Sequence, residues 1–412
     1  MDLRHQTAMK WDQAKLLVLI LFLGGNRPLA HADALDHWTG TPVPTLSTPL
    51  SPTAFLLSVA YGDGRFVAVG EYDENDGAFV TTSDDGIHWV EQSTPATDLY
   101  SVTYGNGLFV AVGWGGMGNQ DIYNSPDGIN WVPITNGIVT NYRDVTYGGY
   151  YVAVGDDTVW GTSTVTNENI FISADGVTWT PQKSVSTSGS AHNLLSVAYG
   201  NGEFVAVDDS GNAYHSASGR TWTRASLGIG SAVSFCNDLF IASYGAGTNL
   251  VSSDGINWAL VTNSTGGIFG KVIYANGYYI AGTSSNICTS TDGTNWTRRA
   301  QSPTEPVGPL LEACAYGNGV VVSICNLFGQ KYPFAFVSDP VVAMGINWGA
   351  GGAALNLSGL NGRTNRIDYS TNLETGSGWQ ALTNIVLTNS PQAWTDSAAT
   401  NGQRFYRAVL LP

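Results

Sequence analysis

The 412-residue chain is poor in charge: only 12% of its residues are Asp, Glu, Lys or Arg, and 32 acidic side chains outnumber 17 basic ones. A surface so short of cations repels phosphate backbones, which excludes nucleic acid and anionic membranes as partners. Histidine is scarce too, with only His37, His88, His192 and His215 among residues 33–344, and no Cys-x-x-Cys spacing occurs, which argues against a zinc site. There is no Gly-x-Ser-x-Gly elbow and no phosphate-cradling glycine loop ending in Lys-Ser or Lys-Thr. Runs of Ala, Leu, Glu and Lys at helical spacing are few, and the N-terminal apolar run, Leu16 to Leu23, is eight residues long against the ~20 that span a bilayer.

What the chain has instead is 50 Gly, 19 Tyr and 13 Trp in a sequence that is 43% hydrophobic. So many aromatic and β-branched side chains cannot stay solvated, which rules out disorder. Glycine together with aromatics points to short strands joined by tight turns, an all-β chain. Charge is unevenly placed. Residues 1–32 carry a net +2 and residues 345–412 a net +1, so residues 33–344 hold −18 of the overall −15.

Arg4, Lys10 and Lys15 precede the apolar run, and Ala30-His31-Ala32 follows it. Basic, apolar and small residues in that order read as a secretory signal over residues 1–32, cleaved before Asp33, which leaves no transmembrane anchor. A secreted, periplasmic or cell-surface location is expected. The four cysteines, Cys236, Cys288, Cys314 and Cys325, would permit three full pairings in an exported protein, and the sequence does not choose among them.

Two short patterns recur. The first is an aromatic-Gly turn leading into an apolar strand, as in Tyr61-Gly62-Asp63-Gly64-Arg65-Phe66-Val67-Ala68-Val69; further copies begin at Tyr104, Tyr147, Tyr199, Phe235, Tyr274 and Tyr316. Their spacings of 43, 43, 52, 36, 39 and 42 residues match a propeller blade. The second pattern is Ser-x-Asp-Gly-x-x-Trp, at Ser83–Trp89, Ser125–Trp131, Ser173–Trp179, Ser252–Trp258 and Ser290–Trp296, with a worn copy at Ser216–Trp222 where Ser218 replaces Asp. Both patterns read as structural. Glycine supplies positive φ in a tight hairpin, and the Ser and Asp oxygens accept from the turn's own amides while Trp packs inward.

These residues resemble the Asp-box (BNR) repeat propellers, whose box is usually Ser-x-Asp-x-Gly-x-Thr-Trp and whose members include sialidases, xyloglucan-active glycosidases, sortilin-type receptors and the photosystem II assembly-factor type. The boxes here are one residue shorter between Asp and Trp, so the resemblance is to the broad repeat class. It covers about residues 36–344. Seven hairpin turns but six boxes predict seven blades, the last completed by residues 37–44, because His37-Trp38 looks like the tail of a box. The expected organisation is a signal peptide (1–32), a seven-bladed β-propeller closed by the N-terminal strand (33–344) and a small C-terminal β module (345–412). That module resembles a β-sandwich ending many exported proteins of Gram-negative environmental bacteria, through Ile367-Asp368-Tyr369-Ser370 and the terminal Arg404-Phe405-Tyr406-Arg407-Ala408-Val409.

In such a wheel the hairpin and box turns share one rim, and the connections from second to third strands emerge on the other. Those connections interleave carboxylates with aromatics, a combination that stacks on sugar rings and accepts hydroxyl protons. The expected ligand-binding residues are Tyr72, Asp73, Trp114, Asp156, Trp160, Asp208 and Tyr244. Asp73, Glu74, Asn75 and Asp76 also have the oxygen chemistry for Ca²⁺, without the spacing of an EF-hand; no other cofactor is expected. A hydrolase would need two carboxyl groups facing each other, and only Asp156, Asp157, Asp208 and Asp209 offer them. The sialidase activity implied by the resemblance needs three arginines on one carboxylate. The propeller's arginines are Arg65, Arg143, Arg220, Arg224, Arg298 and Arg299; Arg65 and Arg220 fall in turns on the other rim, and the other four show no pattern that would bring three together. The reading is therefore a secreted binding protein for a neutral glycan or a partner protein. The alternatives are a xyloglucan-active type of glycoside hydrolase and an assembly scaffold for another exported protein.

Overall fold

The computed structural model describes residues 17–19, 38–44, 53–73, 77–115, 122–134, 141–156, 169–182, 193–228, 230–245, 247–262, 269–275, 277–283, 287–298, 310–326, 333–338, 343–349, 352–358, 364–370, 380–386, 388, 392–398 and 405–410. All of their regular structure is β, and the chain divides into two compact units, Asp36–Ser338 and a second made of Met1–Leu35 with Asp339–Pro412.

The first unit is a seven-bladed propeller of four-stranded antiparallel sheets. Blade one runs from its innermost strand Ala54–Gly62 through Arg65–Tyr72 and Ala78–Ser83 to Val90–Gln92, and the next five repeat that order. Blade seven takes Leu310–Gly317, Val320–Asn326 and Phe334–Ser338 from the end of the unit and Trp38–Pro42 from its start. Trp38 pairs with Ser338 and Pro42 with Phe334, so the expected closure by the N-terminal strand is present and no outer edge is left open there.

The second strands are apolar on both faces because each is sandwiched between neighbouring blades: Val67, Ala68 and Val69 are wholly buried, as are Val110, Ala111 and Val112. Ring closure is also visible in the Tyr-Gly pairs. A Cβ on Gly62 would meet the Tyr104 ring at 2.1 Å, one on Gly105 would meet Tyr147 at 2.2 Å, and one on Gly317 would meet Tyr61 at 2.2 Å. At five of the seven blade junctions the aromatic thus lies on the glycine of the preceding blade, round to blade one, and no larger residue fits beneath it there; Cys236 and Ala275 hold the glycine's place in blades five and six.

The boxes act as the sequence reading expects. In the first, Ser83 Oγ accepts from the amide of Gly86 (2.8 Å), Asp85 Oδ1 accepts from Ile87 and His88 (both 2.8 Å), and Trp89 Nε1 donates to the Gly86 carbonyl (2.8 Å). Amide donors hold the carboxyl group in its charged form: the N–H groups of Thr178 and Val177 bring Asp175 down to about 2, and that of Asn257 lowers Asp254 further. In the worn copy Ser218 Oγ accepts from the Arg220 amide (3.2 Å), and Trp222 still donates to Gly219 (2.8 Å). Hairpin and box also meet between blades, since Asn318 donates to the Asp84 carbonyl (2.8 Å) and Arg65 to that of Asp127 (3.0 Å).

A polar belt lines the central channel. Ser58 Oγ accepts from the Val102 amide, Ser101 Oγ from Val145, and Ser196 Oγ from Val233, each tying one blade to the next. Blade three has Asp144 at this place. Its carboxylate accepts from the hydroxyls of Ser101 (2.7 Å) and Ser196 (2.9 Å), the amides of Val145 and Val197, and, from blade six, Lys271 Nζ (2.6 Å). Below this pair lies a cavity of about 190 Å³ lined by Thr103, Thr146, Ser234 and Cys314. All four cysteines are free thiols, and burial pushes Cys236 and Cys325 up to about 12 and Cys314 to about 11.

The second unit has a three-stranded sheet (Ala343–Gly349, Gly352–Ser358, Gln392–Asp396) and a four-stranded one (Leu17–Leu19, Phe405–Leu410, Thr364–Ser370, Gln380–Val386). Leu355 and Leu357 of the first share a core with Ile367, Ile385 and Tyr406 of the second. Leu17–Leu19, part of the apolar run, pairs with the strand Phe405–Leu410, and without it that strand would be an edge. The expected cleavage motif lies outside the described residues. Among the described residues no helix is long and apolar enough to cross a membrane.

Candidate functional site

The candidate site is the rim of the propeller opposite the hairpins and boxes. It is built by a backbone irregularity that repeats round the wheel. In five blades the innermost strand slips register by one residue near its start, between Leu56 and Ser58, Leu99 and Ser101, Tyr142 and Asp144, Leu194 and Ser196, and Leu311 and Ala313. The extra residues are Leu57, Tyr100, Arg143, Leu195 and Glu312, all half-buried. A β-bulge re-aims a side chain and opens the ladder locally. The flanking positions hold near-uniform residues that serve the blade contacts, whereas the bulged position holds an aromatic, a cation, an anion and two leucines.

Room for the bulge comes from the second strand. Gly70, Gly113 and Gly155 face it, and a Cβ there would lie 1.8 Å from the Phe55 carbonyl, 2.0 Å from that of Asp98 and 2.3 Å from that of Asn141. The residue after each of these positions ends the strand at the rim: Glu71 in blade one, Trp114 in blade two and Asp156 in blade three, with Asp209 in the same place in blade four and Asn326 in blade seven. Asn326 clamps Leu56 of blade one through both its amide N–H and its carbonyl (both 2.9 Å).

Blades one to three concentrate charge on this rim. Arg143 grips Asp156 with two bonds (3.0 and 3.1 Å), Asn141 donates to the same carboxylate (2.9 Å), and the guanidinium lies 5.8 Å from the Tyr100 ring centre. Asp98, which pairs with Trp114 across the ladder, is 5% exposed. Burial raises it, and burial followed by the fields of Asp98 and Asp73 raises Glu71. Burial, then Asp98 and Glu71, pushes the Tyr100 phenol up to about 12. In blade seven burial raises Glu312 as well, against a hydrogen bond with Asn326. The single guanidinium of this cluster is committed to Asp156, so Glu71 and Asp98 lie within reach of each other's charge and neither has an ion pair among the described residues.

The sequence-predicted residues are distributed unevenly over this surface. Tyr72, Asp73, Trp114 and Asp156 stand on the rim of blades one to three; Tyr72 is half-buried with its hydroxyl on Glu91 (2.7 Å), and Asp73 is exposed. Asp208 is 1% exposed, because it occupies the ladder position that Gly70, Gly113 and Gly155 hold elsewhere. It accepts from the amides of Ser210 (3.0 Å) and Asn212 (2.7 Å), from the Asn212 side chain and from the Tyr214 hydroxyl (2.8 Å), so it ties its own turn together instead of facing a ligand. Asp209 is exposed and bonded to Asn193. Tyr244, 52% exposed, stands alone on blade five. Glu74, Asn75, Asp76, Asp157 and Trp160 lie outside the described residues. Among the described residues no group of three or more His, Cys, Asp or Glu side chains is placed to hold a metal ion.

Sequence reasoning missed Asp98, Tyr100, Arg143 and Glu312, and did not single out Glu71. The usable signal was internal: four residues before each hairpin aromatic the repeat loses its uniformity, giving Leu57, Tyr100, Arg143, Leu195 and Glu312.

No protein-family model matches the chain, and no curated protein is similar to it in sequence. Its fold is similar to solved structures that include two of YCF48. One, "YCF48 bound to D1 peptide", has a TM-score of 0.53 and 16% identity over 73% of this chain and 96% of that one. The other, YCF48 from Cyanidioschyzon merolae, has a TM-score of 0.52 and 16% identity over 73% of this chain and 98% of that one. The shared feature is the seven-bladed propeller.

Proposed function

We propose that the chain is an exported binding protein whose bulged rim takes an extended polypeptide segment of a partner protein. The observation that carries this reading is the five-fold bulge: the scaffold gives five blades the same re-aimed position and fills it with an aromatic, a cation, an anion and two leucines, as a surface that reads a sequence of side chains requires. Support also comes from the fold neighbour YCF48, which was solved bound to a peptide. A neutral glycan is the second reading, favoured by Tyr72 and Trp114 standing beside carboxylates. A hydrolase draws less support, since Asp156 is clamped by Arg143 and Asn141 and Asp208 is enclosed by its turn.

The test is retention of residues 33–412 on a random-peptide array and on a neutral-polysaccharide panel, with Leu57→Asp plus Leu195→Asp as the control variant. Peptide retention that falls at least ~10-fold in the variant supports the reading. Polysaccharide retention alone replaces it with the second, and release of reducing sugar would make the protein an enzyme.

A further inference from the structure

The least comfortable group on the rim is Asp98. It is 5% exposed, accepts no hydrogen bond from any described residue, and starts the innermost strand of blade two at a place where the repeat demands no charge. Beside it is the end of blade one's second strand. Glu71 pairs with Ala78, and the Ala78 amide donates to the carbonyl of Ala96 (3.1 Å), two residues before Asp98. Two carboxylates are thus held together across a blade boundary, with the Tyr100 ring nearby. Placing an unpaired carboxylate in a largely buried position beside another is unfavourable, and folds keep such an arrangement where something outside the chain completes it.

We infer that Glu71 and Asp98 form a pocket for one cationic side chain, a lysine or an arginine, presented by the bound segment, with Tyr100 as its aromatic wall. This rests on the reading of the rim as a polypeptide-binding surface and names what that surface selects. The chemistry fits an ammonium or guanidinium group. Two acceptor-only carboxylates supply four oxygens for its N–H donors, an aromatic face attracts the cation, and the segment 33–344 attracts basic partners at long range. Arg143 is not a substitute occupant, because Asp156 holds it in a bidentate pair, with its guanidinium carbon 5.8 Å from the Tyr100 ring centre. An acidic segment would be repelled.

Two probes test this on residues 33–412. In the first, N-acetyl-arginine methylamide and N-acetyl-lysine methylamide are titrated while the side-chain carboxyl ¹³C signals of Glu71 and Asp98 are followed. Saturable shifts are expected, with the Glu71 carboxyl titrating at lower pH when the ligand is bound, and Asp98→Asn should weaken binding at least ~10-fold. N-acetyl-glutamine methylamide should produce no shift. In the second probe, random peptides containing Lys or Arg are compared with the same peptides carrying Gln. Loss of retention on the Gln set, and equal loss in Asp98→Asn and Glu71→Gln, supports the pocket. Peptides retained equally with Gln, together with no response to the small cations, overturn the pocket while leaving polypeptide binding standing. Response to the small cations with no peptide retained leaves the pocket and overturns polypeptide binding; silence of both probes overturns both. Folding of each variant is checked by its melting temperature, which Asp98→Asn should raise, since it removes one of two facing charges.

Discussion

The two rims of the propeller use the same residue types to opposite ends. On the hairpin and box rim every aspartate of a full box is wrapped in amide donors, so Asp175 sits at about 2 and Asp85, Asp254 and Asp292 are also lowered. On the opposite rim Glu71, Asp98 and Glu312 are all raised by burial. One rim satisfies its polar groups within the chain and holds the wheel together. The other leaves carboxylates short of partners, which is the condition of a surface completed by a ligand.

The contrast breaks most severely if the backbone that creates the second rim is altered. Gly113→Ala places a Cβ 2.0 Å from the Asp98 carbonyl, a clash with main chain that no rotamer relieves. A loss of about 5 kcal/mol or more is expected in urea unfolding. Gly64→Ala is the control: its φ of +79° is strained for alanine but no atom lies within 4 Å, and it should cost only about 1 kcal/mol. Next in size is Asp144→Ala, which removes the acceptor shared by blades two, three, four and six and leaves buried donors unpaired. A cost of roughly 3 to 5 kcal/mol is expected, and Asp144→Asn should recover part of it.

A third expectation separates the rims by pH. The box carboxylates have folded values below the ordinary ~3.9 of an unfolded Asp, so their stabilisation is complete above pH ~4 and disappears as pH falls toward about 2. Glu71 and Asp98 have folded values above their unfolded ones. Their protonation stabilises the fold, so this contribution is present below the unfolded pKa and is lost as pH rises through the folded one. Melting temperature measured downward from pH 7 should therefore first rise slightly and then fall. The smallest effect is that of Asp98→Asn, which should flatten the rise and lift the melting temperature at pH 7 by a few degrees at most.

Much of the wheel was legible in the sequence, because its rules are local and repeated. Tyr-Gly needs glycine beneath the next blade's ring, the box needs Asp for its own amides, and Trp38 near the start supplies the strand that blade seven lacks. The rim was only partly legible. Trp114 and Asp156 were found because they open connections from second to third strands that interleave carboxylates with aromatics. Asp208 looked equivalent in sequence but takes the glycine's own ladder place, and the register shift that decides this depends on pairing with Leu194, fourteen residues earlier. Asp98 and Tyr100 were missed for the same reason: a bulge is a relation between two strands, and its trace in the sequence, the loss of uniformity four residues before the hairpin aromatic, shows only when the copies are set side by side.

The most direct test is site-resolved titration of the Asp and Glu carboxyl groups of residues 33–412 by ¹³C NMR. The account expects Glu71 and Asp98 to titrate above the ordinary carboxylate range while Asp175 titrates near 2. Glu71 and Asp98 titrating at or below ordinary values would mean that this rim, like the other, already satisfies its own charges, and would contradict the account.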